Sequence, residues 1–437
     1  MSKFQIITIF IFIIAIVAGV VAFATYKGGS DSQALPAITI WGTFPEETFN
    51  EYLGIVNSGL VQSLNVTYVE KKAENFSLDF VKALALGQGP DAILIPADQL
   101  LSEKNKLTPI PFSALSQRDY LDAYIGQSRI YISDQGFWAV PFMVDPLVMY
   151  WNRDLFNKAG LALYPKTWDE FAGNSLKPGL VQKLAVKDQN GNLKKAAVAM
   201  GDFTNITNAR ELLGTLFMQT GNNVTNVGND GLVYSTLNAR SASDASSVVP
   251  ALQFFANFSN PIDANYSWNR AMPNDKTAFL SGTLATYFGL ASELFELREK
   301  NPNIDYDVAP LPEWKGGQKV VYGKLYGFSI VTSSAKANTA FQAISILVAP
   351  TNLAELSKMM YLPPVRNDLI AQGSPDPYIA VFNRLALISR SWMDDPEASK
   401  QIFGNMVQSI IGGAKSADEA VREAGDQYDA ALKRAGQ

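Results

Sequence analysis

The chain of 437 residues carries 36 basic and 41 acidic residues, a net charge of −5, and neither cysteine nor histidine. Those two absences exclude disulfides, thiolate or Ser-His-Asp nucleophiles, and Cys- or His-ligated metals. The intermixed charges leave no basic stripe for nucleic acid, and a length beyond one ordinary hydrophobic core predicts two lobes.

In chain order, the uncharged run Ile6–Ala24 would measure about 28 Å as a helix, against a hydrocarbon core of about 30 Å. Residues 1–26 are therefore expected to form a retained single-pass membrane anchor, the alternative being a signal cleaved after Ala22-Phe23-Ala24. KGGSDSQALP (27–36) reads as a flexible tether, and either form of leader puts the remainder outside the cytoplasm. AITIWG (37–42), NVTYVEK (65–71) and DAILIP (91–96) read as strands. The helices between them put Phe49, Leu53, Val56 and Leu60 on one face of the first and Leu78, Val81 and Leu84 on one face of the second. Strand and helix alternating in this way predict right-handed crossovers and a parallel sheet.

GFWAVPFMVDPLVMYWNRDLFNKAG (136–160) sets a single acid, Asp145, in an otherwise apolar strand-like run. Asn152 and Gly160 are expected to start and stop the helix that follows, and Thr167 with Glu170 to form a capping box. Asn190-Gly191 predicts a hairpin. The surrounding DQNGN is not read as a calcium loop, because its glycine comes too early and Ala199 stands where a bidentate acid is needed. Helices are predicted over 209–219, 247–258 and 275–281, strands over VAPLP (308–312) and LYGFSIV (325–331), and a helix from near Asn338.

ITIWG (38–42), ALALGQGPDAIL (83–94), the 136–161 segment, PKTWDEF (165–171), AFLSGTLATYFG (278–289), DVAPLPEWKGG (307–317) and YGFSIVTSSAKANTAFQAISIL (326–347) together resemble the solute-binding proteins of ABC importers, in the maltose- and oligosaccharide-binding family. The resemblance implies a two-lobed α/β fold of the periplasmic-binding-protein type, each lobe a mixed sheet flanked by helices. Lobe one would comprise 37–143 plus 312–358, and lobe two 146–309 plus 363–437. It further implies a carbohydrate ligand in the cleft, hinge closure, permease subunits as partners, no cofactor and no catalysis. The family's usual lipid-bearing cysteine is missing, which favours an anchor by the N-terminal helix.

On the matching positions, Asp145 and Asp98 are expected to accept sugar hydroxyls, and Thr43, Phe44 and Glu46 to line the loop after the first strand. Aromatic platforms for sugar C–H faces would come from Trp268, Phe288 beside Gly289, and Trp392, with Trp41 and Trp138 as further candidates and Trp168 structural. Two alternatives stand beside this reading. One is a surface glycoside hydrolase using Asp98 and Asp145 as paired carboxylates. The other is a sensor or adhesin that keeps the binding fold.

Overall fold

The computed structural model describes residues 36–173, 177–228, 230–239 and 248–436. The expected membrane anchor at 1–26, and nearly all of the tether, lie outside the described residues. Among the described residues no helix is long and apolar enough to cross a membrane.

The strands Ile38–Gly42, Val66–Glu70 and Ala92–Pro96 form the expected parallel set, with the first in the centre. Two long antiparallel strands then carry the sheet across the molecule. The return strand Val321–Val331 pairs Ala92–Pro96 on one side and the crossing strand Val140–Asn152 on the other. The crossing strand changes partners midway. Its residues up to Pro146 pair the return strand, whereas Leu147 onward pair Thr286–Leu290 and Tyr306–Ala309. Beyond lie Leu193–Val198 and the short Val186–Lys187, giving an eight-stranded path within an eleven-stranded sheet, the other three strands pairing at its sides.

Every residue of the crossing strand is buried, because each half has helices or loops on both faces, and this explains its unbroken apolar run. On the lobe-one side Phe49 stacks on Tyr68 at 4.1 Å and Phe142 meets Phe328 at 4.8 Å. On the other side Trp168, Phe171, Phe254 and Phe288 form a second aromatic cluster. Tyr361 closes the helix Pro350–Met360 with φ of 55°, a left-handed residue just before Pro363-Pro364.

Local signals hold in most places. Asn152 accepts the Leu155 N–H at 2.9 Å, Gly160 has φ of 68°, and Val186–Lys187 pairs Leu193–Val198 around Asn190-Gly191. Asp188 shapes that hairpin by accepting the N–H groups of Asn190 and Asn192, each at 2.9 Å. The capping box is displaced by one residue. Thr167 accepts from the Glu170 N–H, but the Glu170 carboxylate takes the Lys166 N–H at 2.8 Å.

Two expectations are corrected. The strand predicted over 308–312 runs instead over Tyr306–Ala309, since Pro310 and Pro312 have no N–H to give a ladder. The helix Phe76–Ala85 forms, but turned: Phe76, Phe80 and Ala83 are buried, while of the expected face Leu84 is half-buried against the core and Leu78 is 57% and Val81 49% exposed. Two phenyl rings one turn apart outweigh two aliphatic side chains in apolar area. Leu78→Lys is therefore expected to change stability by less than about 0.5 kcal/mol, as read by urea unfolding.

Candidate functional site

The carboxyl ends of the parallel strands open on one face, where open α/β sheets hold ligands. Thr43 leaves the first strand there, and Asp98 and Gln99 leave the third in a single 3-10 turn. Gly42 is needed at this exit. A Cβ on it would stand 2.4 Å from the Tyr68 hydroxyl and 2.8 Å from the Leu94 carbonyl oxygen. The Tyr68 hydroxyl in turn accepts the Phe44 N–H at 3.0 Å and donates to the Phe44 carbonyl at 2.9 Å, fixing the loop.

Three side-chain oxygens at this end are buried with no partner among the described residues: Thr43 Oγ1, Asp98 Oδ1 and Gln99 Oε1. Each such atom left unpaired costs on the order of 1–3 kcal/mol. The second Asp98 oxygen accepts the Tyr322 hydroxyl at 3.0 Å and Arg210 Nη2 at 3.3 Å. Arg210 arrives on the helix Ala209–Gln219, which is buried along its length apart from Glu211. Its Nε donates to Asp394 at 3.1 Å and Ser399 at 2.9 Å, and its Nη1 to Glu211 at 2.8 Å.

One cation thus holds three carboxylates, those of Asp98, Glu211 and Asp394. Asp394 is further satisfied by the Tyr428 hydroxyl at 2.5 Å, the Ser399 hydroxyl at 2.6 Å and the Trp392 indole N–H at 3.1 Å. The Trp392 ring lies 4.7 Å from the Arg210 guanidinium and meets Tyr322 edge-on at 5.4 Å. It packs against the helix backbone at Gly214, where a Cβ would come within 2.3 Å of the ring.

The cavity beside this cluster measures about 210 Å³, and Asp98, Gln99, Arg210, Tyr322, Lys324 and Lys400 are among its walls. Lys324 stands opposite Asp145 in the register of the return and crossing strands. The neighbouring Tyr326 phenol, with Asp98 and Asp145 behind it, holds the Lys324 ammonium above its usual range in spite of burial. Burial pushes the Asp145 carboxyl up to about 6, partly opposed by the Ser292 N–H that it accepts at 3.0 Å.

Of the residues expected from sequence, Asp98 lines the cavity and is joined to Trp392 through Arg210 and Tyr322, while Thr43 sits at the end of the neighbouring parallel strand. Asp145 is buried on the crossing strand, across from Lys324. Gly289 is buried between the rings of Tyr287 and Tyr150. Phe288 packs on Trp168 and Phe171, and its carbonyl accepts from Asn208 at 3.2 Å. Glu46 is exposed in the first turn of its helix, where a negative charge suits the helix dipole, and it is not part of the cavity wall.

Two aromatic candidates, Phe44 from the loop after the first strand and Trp268 from the expected platforms, are buried among core partners. Phe44 turns into the lobe-one core against Phe142 and Tyr326. Trp268 is wholly enclosed in lobe two, its indole N–H donated to Asn205 at 2.8 Å. Both gain more by burying ring area among core partners than by lying open at a cleft. Of the other tryptophans, Trp41 is half-buried beneath the Lys71 ammonium at 4.0 Å.

Sequence reasoning missed Gln99, Arg210, Tyr322, Lys324 and Asp394. A signal existed for Arg210, since ARELLGTLFMQ puts an arginine in a helix with few other polar residues. Lys324 carried a similar signal as the one charge in VYGKLYGFSIV.

The family described as bacterial extracellular solute-binding protein matches residues 62–353. A protein of Brucella abortus described as a binding protein is 21% identical over 326 residues, 72% of each chain. Among solved structures, a cyclic α-maltosyl-1,6-maltose binding protein from Arthrobacter globiformis superposes with a TM-score of 0.72 at 16% identity, covering 91% of this chain and 99% of that one. A cyclo/maltodextrin-binding protein complexed with maltotetraose gives 0.69 at 15% identity over 93% and 98%. The sugar-binding protein MalE from Xanthomonas citri gives 0.68 at 17% over 91% and 98%. The two-lobed α/β architecture is that of these binding proteins, and the chain belongs to the bacterial extracellular solute-binding proteins, a membership that implies an extracytoplasmic location.

Proposed function

We propose that this chain is the substrate-binding component of an ABC importer, which holds a neutral oligosaccharide between its lobes and passes it unchanged to permease subunits. The observation that carries this reading is the trio of buried, unpartnered oxygens on Thr43, Asp98 and Gln99 at the carboxyl ends of the parallel strands. Sugar hydroxyls are donors of the right kind for all three. The cavity walls balance in charge, Asp98, Glu211 and Glu397 against Arg210, Lys324 and Lys400, which suits an uncharged ligand. Structural neighbours described as bound to maltotetraose, mannotriose and acarbose support the same class.

In this reading Asp145 supports the cleft floor from the crossing strand, Trp392 backs the Arg210 that walls it, Phe288 with Gly289 packs behind it, and closure turns on three crossings. These are Met143–Asp145, Ala309–Leu311 and Tyr361–Pro364, between lobe one (37–143 plus 312–358) and lobe two (146–309 plus 363–437). The partner change of the crossing strand at Pro146 and the left-handed Tyr361 support two of those positions.

A hydrolase is less well supported. One Asp98 oxygen is committed to Arg210 and Tyr322, and Asp145 faces the Ser292 N–H, so neither is arranged as an acid across from a base. A thermal-shift screen against malto- and manno-oligosaccharides tests the proposal. At a hundredfold excess over Kd a bound sugar adds about 2.7 kcal/mol, and at least one member is expected to raise the melting temperature by several degrees. No shift across the panel, or turnover of a sugar, would count against it. A sensor or adhesin would pass this screen and fail to restore uptake with permease subunits.

A further inference from the structure

We infer a second ligand site, set apart from the polyol cavity by the Trp392 ring, that takes a multiply charged oxyanion. Two adjoining hollows of about 520 and 270 Å³ share Arg129, Ile130, Arg390 and Ser391 in their walls. Lys319 joins the first, and Trp392 and Met393 line the second. Among the described residues no aspartate or glutamate lines either one, in a chain whose net charge is −5.

The state of the three cations is the decisive observation. Arg210, in the other cavity, is matched by three carboxylates. Arg129, Lys319 and Arg390 make no ion pair and no side-chain hydrogen bond among the described residues, although they surround one hollow. Like charges gathered without a counter-charge repel, and the guanidinium forks of two arginines match the oxygens of phosphate or carboxylate groups. The Ser391 hydroxyl accepts from Gln127 at 2.8 Å, which leaves its own hydrogen to donate to an anion.

Trp392 is the partition. Trp392 covers Arg210 and gives its N–H to Asp394, and it also forms wall in the second hollow, beside Met218 and Val227. The walls come from segments far apart in sequence: 126–132 ahead of the crossing strand, 218–227 from the last turn of the Arg210 helix onward, Lys319, and 387–393. An anion seated here would tie the three together. It would therefore stabilise the arrangement that also builds the polyol cavity.

The test is calorimetric titration of inorganic pyrophosphate into the full chain at low ionic strength, where screening is least. Sedimentation with phosphatidylglycerol vesicles forms a second arm. Submillimolar pyrophosphate binding is expected, weakened at least tenfold in the Arg129→Ala/Arg390→Ala double variant. The melting curve of that variant should be unchanged without anion, because both side chains are exposed and unpaired. Vesicle binding alone, lost in the double variant, would assign the oxyanion to a lipid headgroup. Absence of binding in both arms, or binding that the double variant leaves intact, would overturn the site.

Discussion

Arg210→Ala is expected to lower the unfolding free energy by about 3–5 kcal/mol, the usual consequence of removing one partner from a buried ion cluster. Asp98, Glu211 and Asp394 would then face one another without a cation, and Asp98 and Asp394 are buried too deeply to recover solvation. The loss should spread beyond one contact. Asp394 also gathers Tyr428 from the last helix and Trp392 from the segment before Pro396, and the Asp394 N–H donates to the Asp98 carbonyl at 3.1 Å. The cluster therefore ties the end of the third strand to the C-terminal helices. Urea unfolding of the purified variant would read the change, and a loss under about 1 kcal/mol would show that the cluster is not holding these parts together. Arg210→Lys should recover only part of the loss, since an ammonium cannot hold three carboxylates in the planar geometry of a guanidinium.

Asp145 predicts an unusual pH profile. Its carboxyl is displaced upward from 3.8 to about 6, mainly by burial, so the folded protein holds a proton that the unfolded chain has released. Between these two values the native state binds more protons, and stability rises as pH falls. The displacement corresponds to on the order of 3 kcal/mol, absent above about pH 6 and fully present below about pH 4. Asp275, raised to about 6 by burial as well, adds in the same direction, so the profile must be compared with that of Asp145→Asn. The asparagine can still accept the Ser292 N–H but cannot titrate. The difference between the two proteins should grow steadily from pH 6 to pH 4 in favour of the wild type. Parallel curves would mean that Asp145 is better solvated, or better partnered, than its place on the crossing strand implies.

Much of the scaffold was legible because short-range rules decide it. Glycine and asparagine caps, alternation of strand and helix, and the proline-bounded crossings are local chemistry, and they place the cleft at the ends of Ile38–Gly42 and Ala92–Pro96. The face of Phe76–Ala85 was misread because two apolar stripes competed and only the tertiary neighbour decides between them. The site was half legible. Thr43 and Asp98 follow from their positions just past parallel strands, a rule of topology. Gln99, Arg210, Lys324 and Asp394 come from four distant segments, and their meeting depends on how the crossing and return strands bring the two halves of the sheet together. Aromatic residues were the least readable. Phe44, Trp268 and Trp392 are all buried, yet the first two pack among core partners while Trp392 covers Arg210 and walls the second hollow.

In the proposed reading the oxygens left unpaired at the strand ends receive ligand hydroxyls. Gln99→Met tests it most directly, because it removes a buried, unpartnered acceptor at nearly constant volume without touching the Arg210 cluster. Titration of the sugar identified by thermal shift, set beside the melting curves of both proteins, should show affinity falling about tenfold, or roughly 1.4 kcal/mol, while the ligand-free variant melts no lower than the wild type. Unchanged affinity in a normally folded variant would mean that the Gln99 oxygen receives no ligand hydroxyl.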